Sequence, residues 1–578
     1  MTDRLINLSP YIAPTLLSTL LENPNVDTPV AERFQAAVMF ADVSGFTPLT
    51  EALAQKGSEG TEELTRLLNT YFQRIISIIE HDGGEIAKFS GDALTVLFCA
   101  MDGHLDQATR RAFQSATKLQ AAMPEFAALE TSVGTTTLGL KIAIGAGNVI
   151  AMQVGGVFNR WEYVIGGDPL RQVAEIEGQM TRGEMRLSQE AEAIIAPGPV
   201  PSVPIQVPDW SCLTNPDLVE ASMRRFIPGS LIGWLQEGMQ EWLAVLRPMG
   251  VLFMGVGGLD YDTADALERL HNLVGTVQKT AYRYEGSLNK VVVDDKGTVL
   301  LLLFGAPPLA HQDDPLRAVR CALEIQEHVL SGELQDLGGR IAIGIASGRV
   351  FAGPVGSDRR REYTVMGDTV NLAARLMGKA GAGAILCEVE TYRQSHNRLA
   401  FETLAPIRLK GKAGLIRVYR PLVESEASRR TADSQKRLHQ AAAWTFVGRH
   451  AELATLKALL QHLQQGQGHT LIIQGEAGIG KSRLVLELSR MVHAHGLISL
   501  TAAGQSTEQQ TPYRAWRDIF ITFFDLETLT ESGQRQERVR RVVQELAPEH
   551  IARLPLLSDL LKLDLPETEL TASLDPAL

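Results

Sequence analysis

"RWEYVIGGDPLRQVAEIEGQM", residues 160–180, and "RREYTVMGDTVNLAARLMGKA", residues 360–380, are two versions of one stretch set 200 residues apart. In each, an apolar run around a tyrosine (Tyr163, Tyr363) passes through Gly-Asp into a segment with helical spacing, which reads as a strand feeding a helix. The likeness spreads outward in both directions. "LKIAIGAGNV" from Leu140 matches "RIAIGIASGRV" from Arg340, and "IAKFSGDALTVLF" from Ile86 matches "LNKVVVDDKGTVLLLLF" from Leu288. "VMFADVSGFT" from Val38 matches "VLFMGVGGLD" from Val251, with Asp42 replaced by Gly255. Each copy runs strand, helical segments, hairpin, helix (Ala108–Met123; Pro315–Leu330), two strands and a final helix. That order predicts an α+β domain, and two copies in one chain predict a pseudo-two-fold pair with two related sites at its interface.

The punctuation of the chain sets the boundaries. Residues 1–35 form an N-terminal segment, and 36–196 the first repeat. Residues 197–245 are a Pro-rich linker with a helical segment, and 246–422 the second repeat. A polar linker (423–444) precedes a third block (445–578). The chain has 578 residues, 45% of them hydrophobic and 21% charged, with a formal net charge of −12. That balance argues against a nucleic-acid binder. No apolar run is long enough to span a bilayer, and a cytoplasmic location is expected. The four cysteines are far apart without metal-ligand spacing, which predicts buried free thiols.

Two carboxylates of the first repeat sit at strand ends: Asp42 closes "AAVMFAD" and Asp92 sits in the hairpin "KFSGDALTVLF". Together they make a hard-oxygen site suited to Mg²⁺, which keeps waters and phosphate oxygens as its other ligands. The bland reading is a helix cap and a turn residue. In the second repeat, Asn371 and Arg375 are four apart and share one helix face, whereas the first repeat has Arg171 and Glu175 there. In the third block "TLIIQGEAGIGKSRLVLEL" reads as strand, phosphate loop and helix. Gly475, Gly480, Lys481 and Ser482 are its signature residues, with Lys481 aimed at β/γ-phosphate oxygens and Ser482 at Mg²⁺. No apolar strand ending in Asp follows within about a hundred residues, so the block is expected to be a truncated α/β P-loop NTPase domain.

With these motifs in this order, both repeats resemble class III nucleotidyl cyclase catalytic domains, which have a ferredoxin-like fold. The tandem followed by a P-loop block is similar to soluble adenylyl cyclases, and "FVGRHAELATLKALL" resembles the entry to signalling ATPase domains of the AAA/STAND type. The resemblance implies an adenylate cyclase that makes 3′,5′-cyclic AMP and pyrophosphate from ATP at one site between the domains. It implies two Mg²⁺ ions, with Mn²⁺ as a substitute, on Asp42, Asp92 and the Val43 backbone. The turn "VSGFT" would offer the backbone N–H groups of Phe46 and Thr47 to phosphate, with Lys141 and more weakly Lys410 and Lys412 on the triphosphate. Asn371 would orient the ribose and Arg375 stabilise charge on the α-phosphate.

Lys290 and Thr364 would read the purine, the ammonium donating to adenine N1 and the hydroxyl accepting from the N6 amino group. The degenerate second pocket would hold bicarbonate or another small anion on Lys88, Val164 and Arg171. The bland alternative there is Lys88 paired with Glu175. Asp294 is a weak stand-in for Asp92. Guanylate cyclase activity, and an inert cyclase-homology scaffold attached to a signalling NTPase, are the alternatives.

Overall fold

In this computed structural model the described residues are 2–205 without 25, 55 and 92; 208, 210, 213, 215–228, 231, 232 and 235; 245–334 without 295, 296, 307, 308, 332 and 333; 341–422 without 410, 411 and 413; 449–500 without 476–478 and 480; 502, 513–526 and 529; and 532–572 without 562 and 564. They fall into two compact units, Met1–Val423 and Glu424–Leu578.

In the first unit, helices α1 (Thr2–Leu8) and α2 (Pro14–Glu22) precede strand β1 (Val30–Ser44). β1 is buried on both faces over Ala36–Met39, as a central strand with helices on one side and a partner domain on the other should be. It is followed by α3 (Phe46–Ala54) and α4 (Ser58–His81), then the hairpin β2 (Glu85–Ser90) and β3 (Ala93–Cys99). After α5 (Leu105–Ala122) come β4 (Gly139–Val157), β5 (Arg160–Gly167), α6 (Asp168–Glu177) and β6 (Met185–Leu187). The sheet order is β2-β3-β1-β4-β5, with β6 pairing β4 in parallel.

The linker helix α7 (Pro216–Arg225) leads to the second domain. Its elements are β7 (Val245–Val256), α8 (Ala266–Arg283), β8 (Ser287–Asp294), β9 (Gly297–Phe304), α9 (Asp314–Ser331), β10 (Ile341–Gly356), β11 (Arg361–Met366), α10 (Asp368–Met377) and β12 (Ile385–Cys387). Their order, β8-β9-β7-β10 with β11 also on β10 and β12 parallel to it, repeats the first sheet, and two short C-terminal strands extend it. The helices expected at 108–123 and 315–330 are therefore α5 and α9.

The duplication reaches further than the two domains. "SPYIAPTLL" at 9–17 and "RRFIPGSLI" at 224–232 occupy matching places before each domain. Arg360 Nη1 donates to the Pro10 carbonyl at 3.3 Å, and Arg160 Nη1 donates to the Arg225 carbonyl at 3.1 Å. Each domain's arginine thus grips the arm that precedes the other domain. The arms meet in one apolar cluster, with Leu5, Ile12, Leu16 and Leu20 against Val219, Met223, Ile227 and Leu231. These residues of the N-terminal segment and the Pro-rich linker share that cluster with residues of both domains.

In the second unit, α11 (His450–Gln464) and α12 (Lys481–Ala494) flank the P-loop sequence. The strand expected at "TLIIQG" is not formed. Ile472 is 83% exposed, and among the described residues of this unit there is no sheet to bury it. α13 (Arg514–Phe523) and α14 (Ser532–Leu546) carry a small apolar core around Phe524, Leu526 and Val539.

Candidate active site

One cavity of about 360 Å³ lies between the two cyclase-like domains. Its walls bring together Asp42, Ser90 and Gly91 of the first domain with Lys290, Thr364 and Asn371 of the second. Leu170, Val173 and Ala174 of α6 in the first domain line the same space.

Asp42 is placed by the β1–β4 ladder, in which it stands opposite Lys141. Lys141 Nζ lies 2.9 Å from Asp42 Oδ2 and also binds Glu177 at the end of α6. Burial works against this ammonium, yet the hydrogen bonds to Glu177 and Asp42 prevail and raise its pKa. A cation seated on a cavity-facing carboxylate at a strand end marks the place as one that attracts positive charge, and the hard-oxygen donors fit a divalent ion. Glu177 was not singled out from the sequence. Asp92 lies outside the described residues, although its neighbour Gly91 lines the cavity. Val43 is buried beside Asp42, opposite Leu140.

Gly45, with φ +108°, makes the turn from β1 into α3; a Cβ there would come within 2.6 Å of the Thr137 carbonyl oxygen. α3 therefore begins at Phe46, with the Phe46 and Thr47 N–H groups at a helix N-terminus where backbone donors lack intrahelical acceptors. The Phe46 ring itself is buried against Tyr71 and Phe72, and the Thr47 side chain lies outside the described residues.

The second domain replaces this polar set with an apolar one. Gly255 stands opposite Ala342, where the first domain has Asp42 opposite Lys141. A Cβ at 255 would lie 3.1 Å from Met377 Sδ, and Met377 is the residue at Glu177's place in α10. Carboxylate, lysine and glutamate have changed together. The side chain of Asp294 lies outside the described residues; its backbone pairs with Gly297 at the hairpin end.

The groups expected to read the purine are held by the domain interface. Lys290 is 4% exposed, and its Nζ donates to the Phe89 carbonyl of the first domain at 2.6 Å and to Thr364 Oγ1 at 2.9 Å. It also lies 2.9 Å from Glu362 Oε1, while Glu362 Oε2 accepts from the Phe89 N–H at 3.2 Å. Burial alone would raise the Glu362 carboxyl, but Lys290, Lys88 and Arg360 outweigh it and hold the pKa at about 2. Arg360, 3% exposed, donates to the Ile86 carbonyl at 2.9 Å and the Ala87 carbonyl at 3.2 Å, stitching β11 to β2. Arg360 and Glu362 were also missed from sequence. Their signal was available, because the first copy carries the same charges at Arg160 and Glu162 beside an apolar strand.

Asn371 lines the cavity from the first turn of α10, and Arg375, one turn on, is half-buried. Lys412 is engaged elsewhere, paired with Asp368 at the start of α10. Lys410 lies outside the described residues.

The three residues expected to hold an anion do not converge. Lys88 faces the cavity, and burial lowers its pKa although Glu362 and Glu162 act in the opposite sense. Val164 is fully buried in the core that runs under α8, and Arg171 is an exposed residue paired with Asp168 and Glu175 at 2.7 Å each. Glu175 is therefore Arg171's partner and not Lys88's, because their (i, i+4) spacing puts both on the outer face of α6. In the P-loop sequence Lys481 Nζ donates to the Gly475 carbonyl at 2.8 Å. Gly480 and the Ser482 side chain lie outside the described residues. Among the described residues no helix is long and apolar enough to cross a membrane.

Comparison with known proteins agrees with this layout. The adenylate and guanylate cyclase catalytic domain profile matches residues 30–200 and 297–420, and an AAA ATPase domain profile matches 445–569. Adenylate cyclase type 10 of Oryctolagus cuniculus is 24% identical over 90% of this chain and 35% of its own length. The protein of the same name from Homo sapiens is 25% identical over 93% of the chain and 36% of its own. The chain thus spans about a third of the length of these relatives. Among solved structures, the adenylyl cyclase CyaB from P. aeruginosa is 25% identical over 32% of this chain and 97% of its own, with a TM-score of 0.29. With two profile matches that together cover half its length and a duplicated fold to carry them, the chain belongs to the adenylate and guanylate cyclase catalytic domain family.

Proposed function

We propose that this chain converts ATP to 3′,5′-cyclic AMP and pyrophosphate at a single centre between its two cyclase domains. The observation that carries the reading is the shared cavity, with Asp42 on one wall and Lys290, Thr364 and Asn371 on the other. Two divalent ions, Mg²⁺ or Mn²⁺, would be held by Asp42, Asp92 and the Val43 carbonyl; when bound they supply acidification of the ribose 3′-hydroxyl and neutralisation of triphosphate charge. The protein's part is positioning and charge complementarity. Lys141 exchanges its carboxylate partners for triphosphate oxygens. Asn371 orients the ribose, and Arg375 stabilises the charge that builds on the α-phosphate as the 3′-oxygen bonds to phosphorus and pyrophosphate leaves.

Adenine is favoured over guanine because Lys290 offers only donors. Adenine N1 accepts, whereas guanine N1–H does not, and a buried donor facing a donor discriminates strongly.

The degenerate half of the cavity is the place for a small anion such as bicarbonate. Supporting this, the Lys88 side chain lines the cavity as a buried cation, with Glu362 and Glu162 acting in favour of its charge. Arg171 takes no part in that site.

The test is cyclic-nucleotide production by the full chain from ATP and from GTP with Mg²⁺ or Mn²⁺, with and without bicarbonate. Asp42→Ala should lower turnover at least ~100-fold, the scale of losing a group that stabilises transition-state charge. Undiminished production by Asp42→Ala, or a preference for GTP, would overturn the assignment.

A further inference from the structure

We propose that Glu362 is the positioning residue for base recognition: anchored to the first domain through the Phe89 main chain, it fixes the Lys290 ammonium and leaves one of its donors to be exchanged for the purine. The inference rests on the base-reading role proposed for Lys290 and Thr364.

The argument is one of hydrogen-bond capacity. An ammonium has three donors, and here all three are taken, by the Phe89 carbonyl, Thr364 Oγ1 and Glu362 Oε1. Adenine N1 can gain a donor from Lys290 only if one of these opens. Two of them belong to a closed ring, because Glu362 Oε2 also accepts from the Phe89 N–H, so carboxylate, ammonium and both backbone groups of Phe89 hold one another. The bond to Thr364 Oγ1 stands outside that ring. Thr364 is also the group that faces the adenine amino group, so a purine edge entering between Lys290 and Thr364 replaces one direct bond with two. It leaves the ring intact.

The same ring bears on specificity. Glu362 is the carboxylate nearest the base-reading pair, and a free carboxylate there could accept guanine N1–H. The ring fixes the direction of its two oxygens, one on Lys290 and one on the Phe89 N–H, so ATP selectivity depends on the carboxylate keeping that orientation. Phe89 lies three residues before Asp92, which ties the purine end of the site to the hairpin that carries the second carboxylate.

The duplication provides an internal control. Glu162 is the counterpart of Glu362 and is buried in the same charged network, where it feels the Lys290 charge, but its ion pair is with Arg160, whereas that of Lys290 is with Glu362. Glu362→Gln, Glu162→Gln and Lys290→Met are compared in the full chain for KM, kcat, thermal midpoint and the ratio of ATP to GTP use. The Kd values for ATP and GTP are measured in parallel on chains carrying Lys481→Ala, which removes the P-loop site from the reading and makes the result independent of turnover.

Glu362→Gln should raise KM and Kd for ATP roughly tenfold and lower the ATP-to-GTP ratio by a similar factor, with kcat changed less than about threefold, since loss of a charged hydrogen-bond partner is being read. Glu162→Gln should leave the ratio unchanged. If Glu362→Gln and Glu162→Gln shift only the thermal midpoint, with KM and the ratio as in the wild type, Glu362 is structural and the inference is overturned. If Lys290→Met leaves the ratio unchanged, the base-reading assignment itself fails. A changed ratio for Lys290→Met alone removes only the role of Glu362.

Discussion

Arg360→Met probes the interface that makes one site out of two domains. The guanidinium is 3% exposed and donates to three main-chain carbonyls on other segments: Ile86 and Ala87 of β2 and Pro10 of the N-terminal arm. It also lies 3.8 Å from Glu362 and 5.6 Å from the centre of the Phe89 ring. Methionine fills much of the volume but leaves the carbonyls without donors and Glu362 without one of its cations. A charged hydrogen bond contributes about 1.5–3 kcal/mol, and breaking a buried ionic network by removing one partner costs about 3–5 kcal/mol net of the desolvation recovered. The paired unit spans Met1–Val423. At the usual entropy per residue, unfolding a unit of this size changes entropy by ~0.9 kcal/mol/K, so its midpoint should fall by about 3–6 °C. Scanning calorimetry on the full chain reads that shift, and a cyclic-nucleotide assay should show activity falling with it, because Phe89 and Lys290 lose their registration. Arg186→Met, which removes an exposed pair with Glu184, is the control and should stay within about 0.5 kcal/mol. An Arg360→Met chain that melts within about 1 °C of wild type and keeps full activity would refute the reasoning.

Three further outcomes follow from the same contacts. Gly255→Asp should not create a second metal site: its Cβ would press on Met377 Sδ at 3.1 Å and its neighbour is Ala342, so the midpoint should fall with no gain in cyclic-nucleotide production. A rise in production would refute this. Glu362, held at about 2 against an ordinary 4.5, contributes stability that is complete above pH 4.5 and is lost as pH falls from 4.5 towards 2. Denaturation titrations of Glu362→Gln should therefore show a flatter acid limb in that window, and an unchanged limb would count against the ion-pair account. Burial pushes Cys99 up to about 12 and raises Cys321 and Cys387 well above the ordinary thiol value. Alkylation of the native chain at pH 8 followed by peptide mass mapping should leave all three unlabelled, since the thiolate is the nucleophile; rapid labelling of any of them would contradict the packing.

The sequence by itself determined the duplication, the α+β order of each copy and the residue differences between them, because these are local patterns. Strand and helix periodicity, a Gly-Asp turn and the replacement of Asp42 by Gly255 can all be read within a few dozen residues. The arms escaped because "SPYIAPTLL" and "RRFIPGSLI" are short and weakly alike; only their shared docking onto Arg360 and Arg160 reveals them as a repeat. The strand expected in the P-loop sequence had the right pattern, but a strand also needs neighbours, and none stands beside Ile472 among the described residues.

What only the tertiary structure decided is who neutralises whom. Lys290 meets a carbonyl 201 residues away, and Lys141 meets a carboxylate from a helix 36 residues on. Arg171 turns outward to its own helix rather than towards Lys88. Charge partners are chosen by distance in space and by the low-dielectric walls around them. Neither quantity is written in the spacing of residues along the chain.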